Sequence, residues 1–179
     1  MAGLKENYEK NIKKALSEKL EIKNPMAIPH IQKIVINAGV GRAVAESKRL
    51  EDAEEALEAI TGQKPVRTRA RKSIAGFKLR EGMPIGAMVT LRGERMYEFL
   101  ERMVNIALPR IRDFRGISEA AFDGQGNYSL GIREHTVFPE LTGKDVQAVS
   151  IQVNIQTTAK KDEEARELLK AFGFPFKNK

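Results

Sequence analysis

Leu4, Tyr8, Ile12, Leu16 and Leu20 recur at every fourth position among lysines and glutamates, which predicts an amphipathic helix with a single apolar stripe. Pro25 and Pro29 forbid its continuation. Over 31–40 the period shortens. Ile34, Ile36 and Ala38 alternate with Lys33, Val35 and Asn37, so a strand with two unlike faces is expected. Leu50, Ala53, Leu57 and Ile60 return to helical spacing, from near Ser47 to a stop at Gly62. Val66, Arg67, Thr68 and Arg69 read as a strand, 73–82 as a flexible stretch closed by Pro84, and 87–92 as the answering strand. Met96, Phe99, Leu100, Met103, Ile106 and Ala107 mark a third helix ended by Pro109. A Gly-rich segment, 123–126, precedes a strand over 128–133. In the last strand Val149, Ile151, Val153 and Ile155 alternate with Ser150, Gln152, Asn154 and Gln156. Ala165, Leu168, Leu169 and Phe172 define a final helix with Gly173 as its cap.

Strands that are apolar on one face and polar on the other belong to antiparallel sheets with one face open. The order helix, strand, helix, strands, helix, strands, helix therefore predicts an α+β fold. We expect a single domain over 1–179, a largely antiparallel sheet with helices packed on one face, and a long basic arm between strands at 71–84.

Charge sharpens this picture. Lysine and arginine number 31 against 24 acidic residues, a net charge of +7, which favours a polyanionic partner. The chain has no cysteine, so disulfides, thiol catalysis and cysteine metal sites are excluded. No apolar run approaches the roughly 20 residues that span a bilayer, and the start lacks a secretory apolar stretch. A cytoplasmic protein is expected. A membrane-surface role would use Lys5, Lys10, Lys13 and Lys14 of the first helix, whose apolar stripe is better explained by core packing.

The surplus is concentrated. Residues 61–80 hold seven cations, Lys64, Arg67, Arg69, Arg71, Lys72, Lys78 and Arg80, and no acid. Strand alternation sets Arg67 and Arg69 on one face, with Arg71 following in step, a row suited to successive phosphates. Gly76 and Phe77 lie within it and offer a ring for stacking on a base or sugar. A charge run alone is usually a solvated loop, but this one lacks interspersed acid. The polar strand positions Lys33, Asn37, Thr90, Arg92, Gln152, Asn154 and Gln156 carry no carboxylate, as contact with 2′-hydroxyls and base edges requires.

Catalytic patterns fail. Gly39-Val40-Gly41 follows a strand, but position 44 is Val where a dinucleotide fingerprint needs a small residue. His30 and His135 are the only histidines, and Glu134 and His135, adjacent on a strand, point to opposite faces. No catalytic residue, metal site or cofactor is expected.

The run Thr61-Gly62-Gln63-Lys64-Pro65-Val66-Arg67-Thr68-Arg69-Ala70-Arg71-Lys72-Ser73, within 57–73, resembles the signature of the large-subunit ribosomal protein five family, the universal binder of 5S rRNA. So do Ile34-Val35-Ile36-Asn37-Ala38-Gly39-Val40-Gly41, Gly131-Ile132-Arg133-Glu134-His135 with Phe138-Pro139-Glu140, and Phe172-Gly173-Phe174-Pro175-Phe176. They occur in the family's order, and the ending is similar to the bacterial form. The resemblance implies a place in the central protuberance of the large ribosomal subunit, holding 5S rRNA and touching 23S rRNA, the P-site tRNA and neighbouring 5S-associated ribosomal proteins. It also implies a bridge to a small-subunit ribosomal protein, for which the second helix and the segment near Gly124 are candidates. Carried over by position, Asn37, Gln63 and Thr90 hydrogen-bond 5S rRNA, with Lys33, Lys64 and Arg92 around them, and Arg67 and Arg69 extend that site. The arm, with Arg71, Lys72, Ser73, Gly76, Phe77, Lys78 and Arg80, reaches the tRNA elbow.

Overall fold

A computed structural model of the chain describes residues 3–41, 46–133, 137–141 and 149–177. Val44, Glu134 and His135 lie outside these, as do residues 142–148. Five strands form one antiparallel sheet: β1 (Ile31–Gly39), β2 (Val66–Arg69), β3 (Pro84–Leu91), β4 (Tyr128–Ile132) and β5 (Ile151–Thr157), in the order β2-β3-β1-β5-β4. The helices are α1 (residues 4–19), α2 (Lys48–Thr61), α3 (residues 93–107) and α4 (Asp162–Ala171). The expected α+β architecture is therefore present. By packing, the chain divides into two compact units. One comprises Met1–Ile34, Leu91–Leu130 and Asn154–Lys179, the other Val35–Thr90 and Gly131–Val153.

In the first unit α1 buries Tyr8, Ile12 and Leu16, so the stripe is core and is not free to enter a lipid surface. Its spacing of four overshoots a 3.6-residue turn by about 40° per step. A π-helical turn at Tyr8–Ile12 widens the helix there and brings the stripe back into line. The helix α3 behaves alike: its α-helical part Gly93–Arg102 passes into a π turn at Met103–Ala107, then a 3-10 turn, Leu108–Arg110, that contains Pro109. Met96, Phe99, Leu100, Met103 and Ala107 are buried, whereas Ile106 stays exposed. The α4 helix buries Ala165, Leu168 and Leu169, and ends at Phe172 and Gly173 as its pattern predicted. Lys19 pairs with Glu167, tying α1 to α4, and Lys5 pairs with Glu94 of α3 at 3.6 Å. The Tyr8 ring stacks on Phe172 at 5.6 Å, and its hydroxyl donates to the Pro29 carbonyl at 2.9 Å.

Burial pushes the Tyr8 phenol up to about 12, with Tyr97 adding to the effect, and burial alone takes Tyr128 to about 12. Tyr97 is raised too, by burial first and then by Glu9. The folded chain thus holds phenol protons that an unfolded chain releases near pH ~10. Stability from this source is complete below that value and is lost as pH climbs towards the folded value. The phenolate absorbance of the native protein should rise at higher pH than that of urea-unfolded protein. Superimposed titration curves would refute the burial of these phenols.

In the second unit α2 buries Leu50, Ala53, Ala56, Leu57 and Ile60, follows Ser47, and stops at Gly62, where φ is +64°. The Ser47 side chain makes no capping bond. Ile36 and Ala38 of β1 and Ala87 and Val89 of β3 are buried, as the alternation required. The β2 strand occupies the expected four residues, and β3 begins at Pro84, three residues earlier than its alternation suggested.

Candidate nucleic-acid interface

The face of this second unit opposite the buried set is open. Val35, Asn37, Met88 and Thr90 are each half-buried there. Residues directly opposite one another in an antiparallel pair share a face. Val66 pairs with Met88 and Thr68 with Gly86, so Val66 and Thr68 join the open face. Val66 is 66% exposed, unusual for an apolar side chain in a strand. Val35, Val66 and Met88 are the part of the surface that sequence reasoning missed. The signal was available, since Val35 falls on the polar side of the β1 alternation.

The three neutral residues named from sequence are held differently. Gly62 ends α2, and Thr61, donating to the Leu57 carbonyl at 2.7 Å and accepting from the Gln63 N–H at 3.3 Å, fixes the turn that follows. Gln63 then reaches the Thr90 carbonyl with its Nε2 at 3.5 Å, so these two residues are brought together. The Asn37 amide and the Thr90 hydroxyl bond no described residue, which leaves their donors and acceptors available. Lys33 keeps the same alternation as Asn37 along β1 and is half-buried; Arg92 is exposed immediately after β3. Both belong to the first unit, as do the partly exposed Asn154 and Gln156, while the exposed Gln152 belongs to the second.

The cationic row is divided. Arg67 lies opposite the fully buried Ala87, on the face away from Thr90, and pairs through Nε and Nη2 with the Glu54 carboxylate, the second bond at 2.9 Å. The pairing register slips between Thr68 and Arg69. A bulge of this kind bends the strand and increases its twist, so Arg67 and Arg69 do not form an unbroken file. Lys64, Arg69, Arg71, Lys72, Lys78 and Arg80 are exposed and have no ion pair among the described residues.

The arm is more ordered than its composition suggested. Ala70 donates to the Met83 carbonyl at 2.8 Å and accepts from the Gly82 N–H at 2.9 Å, which carries the hairpin beyond β2. Ile74 and Leu79 exchange backbone bonds of 2.9 and 3.1 Å around a 3-10 turn, Ala75–Phe77, and Ser73 accepts from the Glu81 N–H at 2.9 Å. At the tip, Phe77 is 75% exposed, between Gly76 and Lys78. Among the described residues no cluster of histidine and acidic groups could hold a metal ion, and no helix is long and apolar enough to cross a membrane.

An α+β chain with a half-polar sheet face and an acid-poor cationic hairpin has the features of the nucleic-acid-binding class. Residues 24–80 match the sequence model described as Ribosomal protein L5, and residues 84–176 match the model for the C-terminus of the same ribosomal family. Two relatives bear the name Large ribosomal subunit protein uL5. The one from Rubrobacter xylanophilus is 57% identical over 178 residues, covering 99% of each chain. The one from Syntrophomonas wolfei is 57% identical over 178 residues, covering 99% of this chain and 100% of its own. The chain belongs to the ribosomal protein L5 family, of the bacterial type. That membership agrees with the four ordered motifs and with a structural, non-enzymatic protein.

Proposed function

We propose that the chain is a structural constituent of the large ribosomal subunit in the cytoplasm, and that it binds 5S rRNA through the open sheet face of its second unit. In this reading it attaches 5S rRNA in the central protuberance, among neighbouring 5S-associated proteins, and also contacts 23S rRNA. The exposed arm, tipped by Phe77 and Lys78, reaches the P-site tRNA, and α2 or the Gly-rich segment takes part in the bridge to a small-subunit protein. The observation that carries the reading is the half-buried Asn37 on the polar side of β1, whose amide bonds no described residue, together with the exposed Lys64 and Arg69, which have no ion pair among the described residues. Phosphate contacts supply affinity and orientation, while neutral donors and acceptors discriminate shape and base.

Asn37→Ala leaves its RNA partner group unsatisfied and should weaken 5S rRNA binding by about 1–3 kcal/mol. Because the amide bonds no described residue, the melting temperature should hardly move. Filter binding and a thermal melt check the two halves, and wild-type affinity would remove Asn37 from the interface. Deleting 73–80 should spare 5S rRNA binding yet weaken protection of the tRNA elbow on assembled ribosomes. Identical tRNA footprints with and without the arm would end its assigned role.

A further inference from the structure

Where α1 begins beside α3, the first unit has an open groove of about 500 Å³. Leu4 and Tyr97 give it apolar walls, and the carboxylates Glu6, Glu94, Glu98 and Glu101 line it with them. The Tyr97 ring is held from behind. It lies 6.4 Å from the Tyr8 ring and 6.1 Å from that of Phe172, and both of those residues are buried. Its hydroxyl bonds no described residue. Glu9 stands close enough to help hold the phenol proton, which adds to the negative charge around the ring.

This charge is out of character for the chain. The protein carries +7 overall, yet here four acids face one lining cation among the described residues, Lys5. The internal pairing is loose. Lys5 stands 3.6 Å from Glu94 and Lys10 3.4 Å from Glu6, with all four side chains at least 46% exposed. Exposed pairs of this kind contribute little, so an incoming cation can replace either lysine. Glu98 and Glu101 have no ion pair among the described residues.

The acids do not converge on a point, since no group of acidic or histidine side chains among the described residues could hold a metal ion. They form a row instead. Glu94, Glu98 and Glu101 share one face of α3, and the first two are about 6 Å apart along its axis. Alternate side chains of an extended polypeptide are about 6.6 Å apart, so a cation at every second position matches this row. A phosphate backbone is repelled by it. The aromatic wall selects arginine over lysine, because a guanidinium can stack on a ring and still offer its N–H groups to carboxylates.

We propose that this groove docks an extended, arginine-bearing segment of a partner protein. Alternate guanidinium groups lie along Glu94, Glu98 and Glu101, and one of them stacks on Tyr97. The proposal goes beyond RNA binding and does not depend on it, since none of these residues belongs to the surface assigned to 5S rRNA.

The test is binding of a capped, fluorescent peptide that alternates arginine with serine to the full chain, read by anisotropy. At ~0.05 M salt the double variant Glu98→Gln, Glu101→Gln should bind it about 10-fold more weakly than wild type, and salt near ~0.5 M should erase the difference. The melting temperature and 5S rRNA binding of that variant should match wild type. In Tyr97→Leu the preference for this peptide over its lysine counterpart should vanish, a ratio that a general loss of stability does not change. Equal peptide affinity in wild type and the glutamine variant would overturn the proposal. Equal wild-type affinity for the arginine and lysine peptides would overturn it too, because the ring would then select nothing. Spermidine that displaces the arginine peptide at concentrations below the peptide's own would replace the protein segment with a small polycation. Loss of 5S rRNA binding in the glutamine variant would merge the groove with the RNA site and so refute it.

Discussion

Replacing Lys64, Arg69 and Arg71 together by glutamine should lower affinity for 5S rRNA by about 10²–10³-fold near ~0.1 M salt and flatten the salt slope by about 2–3. Each of these side chains is exposed and free of any ion pair among the described residues, so each is available to displace a counterion from a phosphate. Arg67→Gln should behave differently. Its guanidinium is already committed to Glu54, and a cation neutralised within the protein releases no further counterion from RNA. The slope of that single variant should stay within about 0.3 of wild type, since a whole phosphate contact changes it by about 0.7–0.9. Affinities measured between low and moderate salt decide the matter. An Arg67→Gln slope that falls as far as that of Arg69→Gln would show that the Glu54 pair opens on binding.

The largest stability effect should come from a glycine. Gly126 has φ +80°, and a Cβ on it would lie 2.7 Å from the Ala159 carbonyl oxygen, a backbone atom that cannot swing aside. The surrounding network leaves little slack. The Gly126 N–H donates to Asp162 at 2.9 Å, its carbonyl accepts from the Thr157 hydroxyl at 2.6 Å, and the Gly124 N–H also donates to Asp162, at 3.1 Å. Asp123 closes the same loop. The Asn127 amide first, and then backbone N–H groups, hold its carboxyl below the usual range. Gly126→Ala therefore combines left-handed strain with overpacking, about 3–4 kcal/mol in all, or a melting point lower by about 10 °C. Gly124→Ala meets the same strain at φ +84° but open space, and should cost only about 1–2 kcal/mol. Calorimetric melts of the two variants that differ by less than a couple of degrees would remove the Ala159 contact as the cause.

Much of the fold was legible because burial writes a period into the chain. Ile34, Ile36 and Ala38, or Ile151, Val153 and Ile155, announce one buried strand face by spacing alone. Gly62 and Gly173 mark helix ends for a local reason, the positive φ that a terminating turn demands. The π turns were not legible. The spacing of four in α1 departs from an α-helical turn, but spacing alone does not say where along the helix the wider turn falls, and the apolar positions of α3 have ordinary helical spacing that gives no sign of its π turn. The arm read as flexible from its composition, yet the exchange between Ile74 and Leu79 orders it through backbone groups that composition does not report.

The sequence by itself determined the class of fold, which face of each strand is polar, where cations gather, and the family. These are local or periodic properties, settled by side-chain chemistry along the chain. Tertiary structure alone decided which cations are free. Arg67 and Arg69 look equivalent in sequence, but Glu54, thirteen residues away on α2, claims the first. Likewise Lys177 reaches Gly116 only because the chain end returns to pair with Ile117. Electrostatic availability depends on distance in space, and spacing along a polypeptide does not encode it.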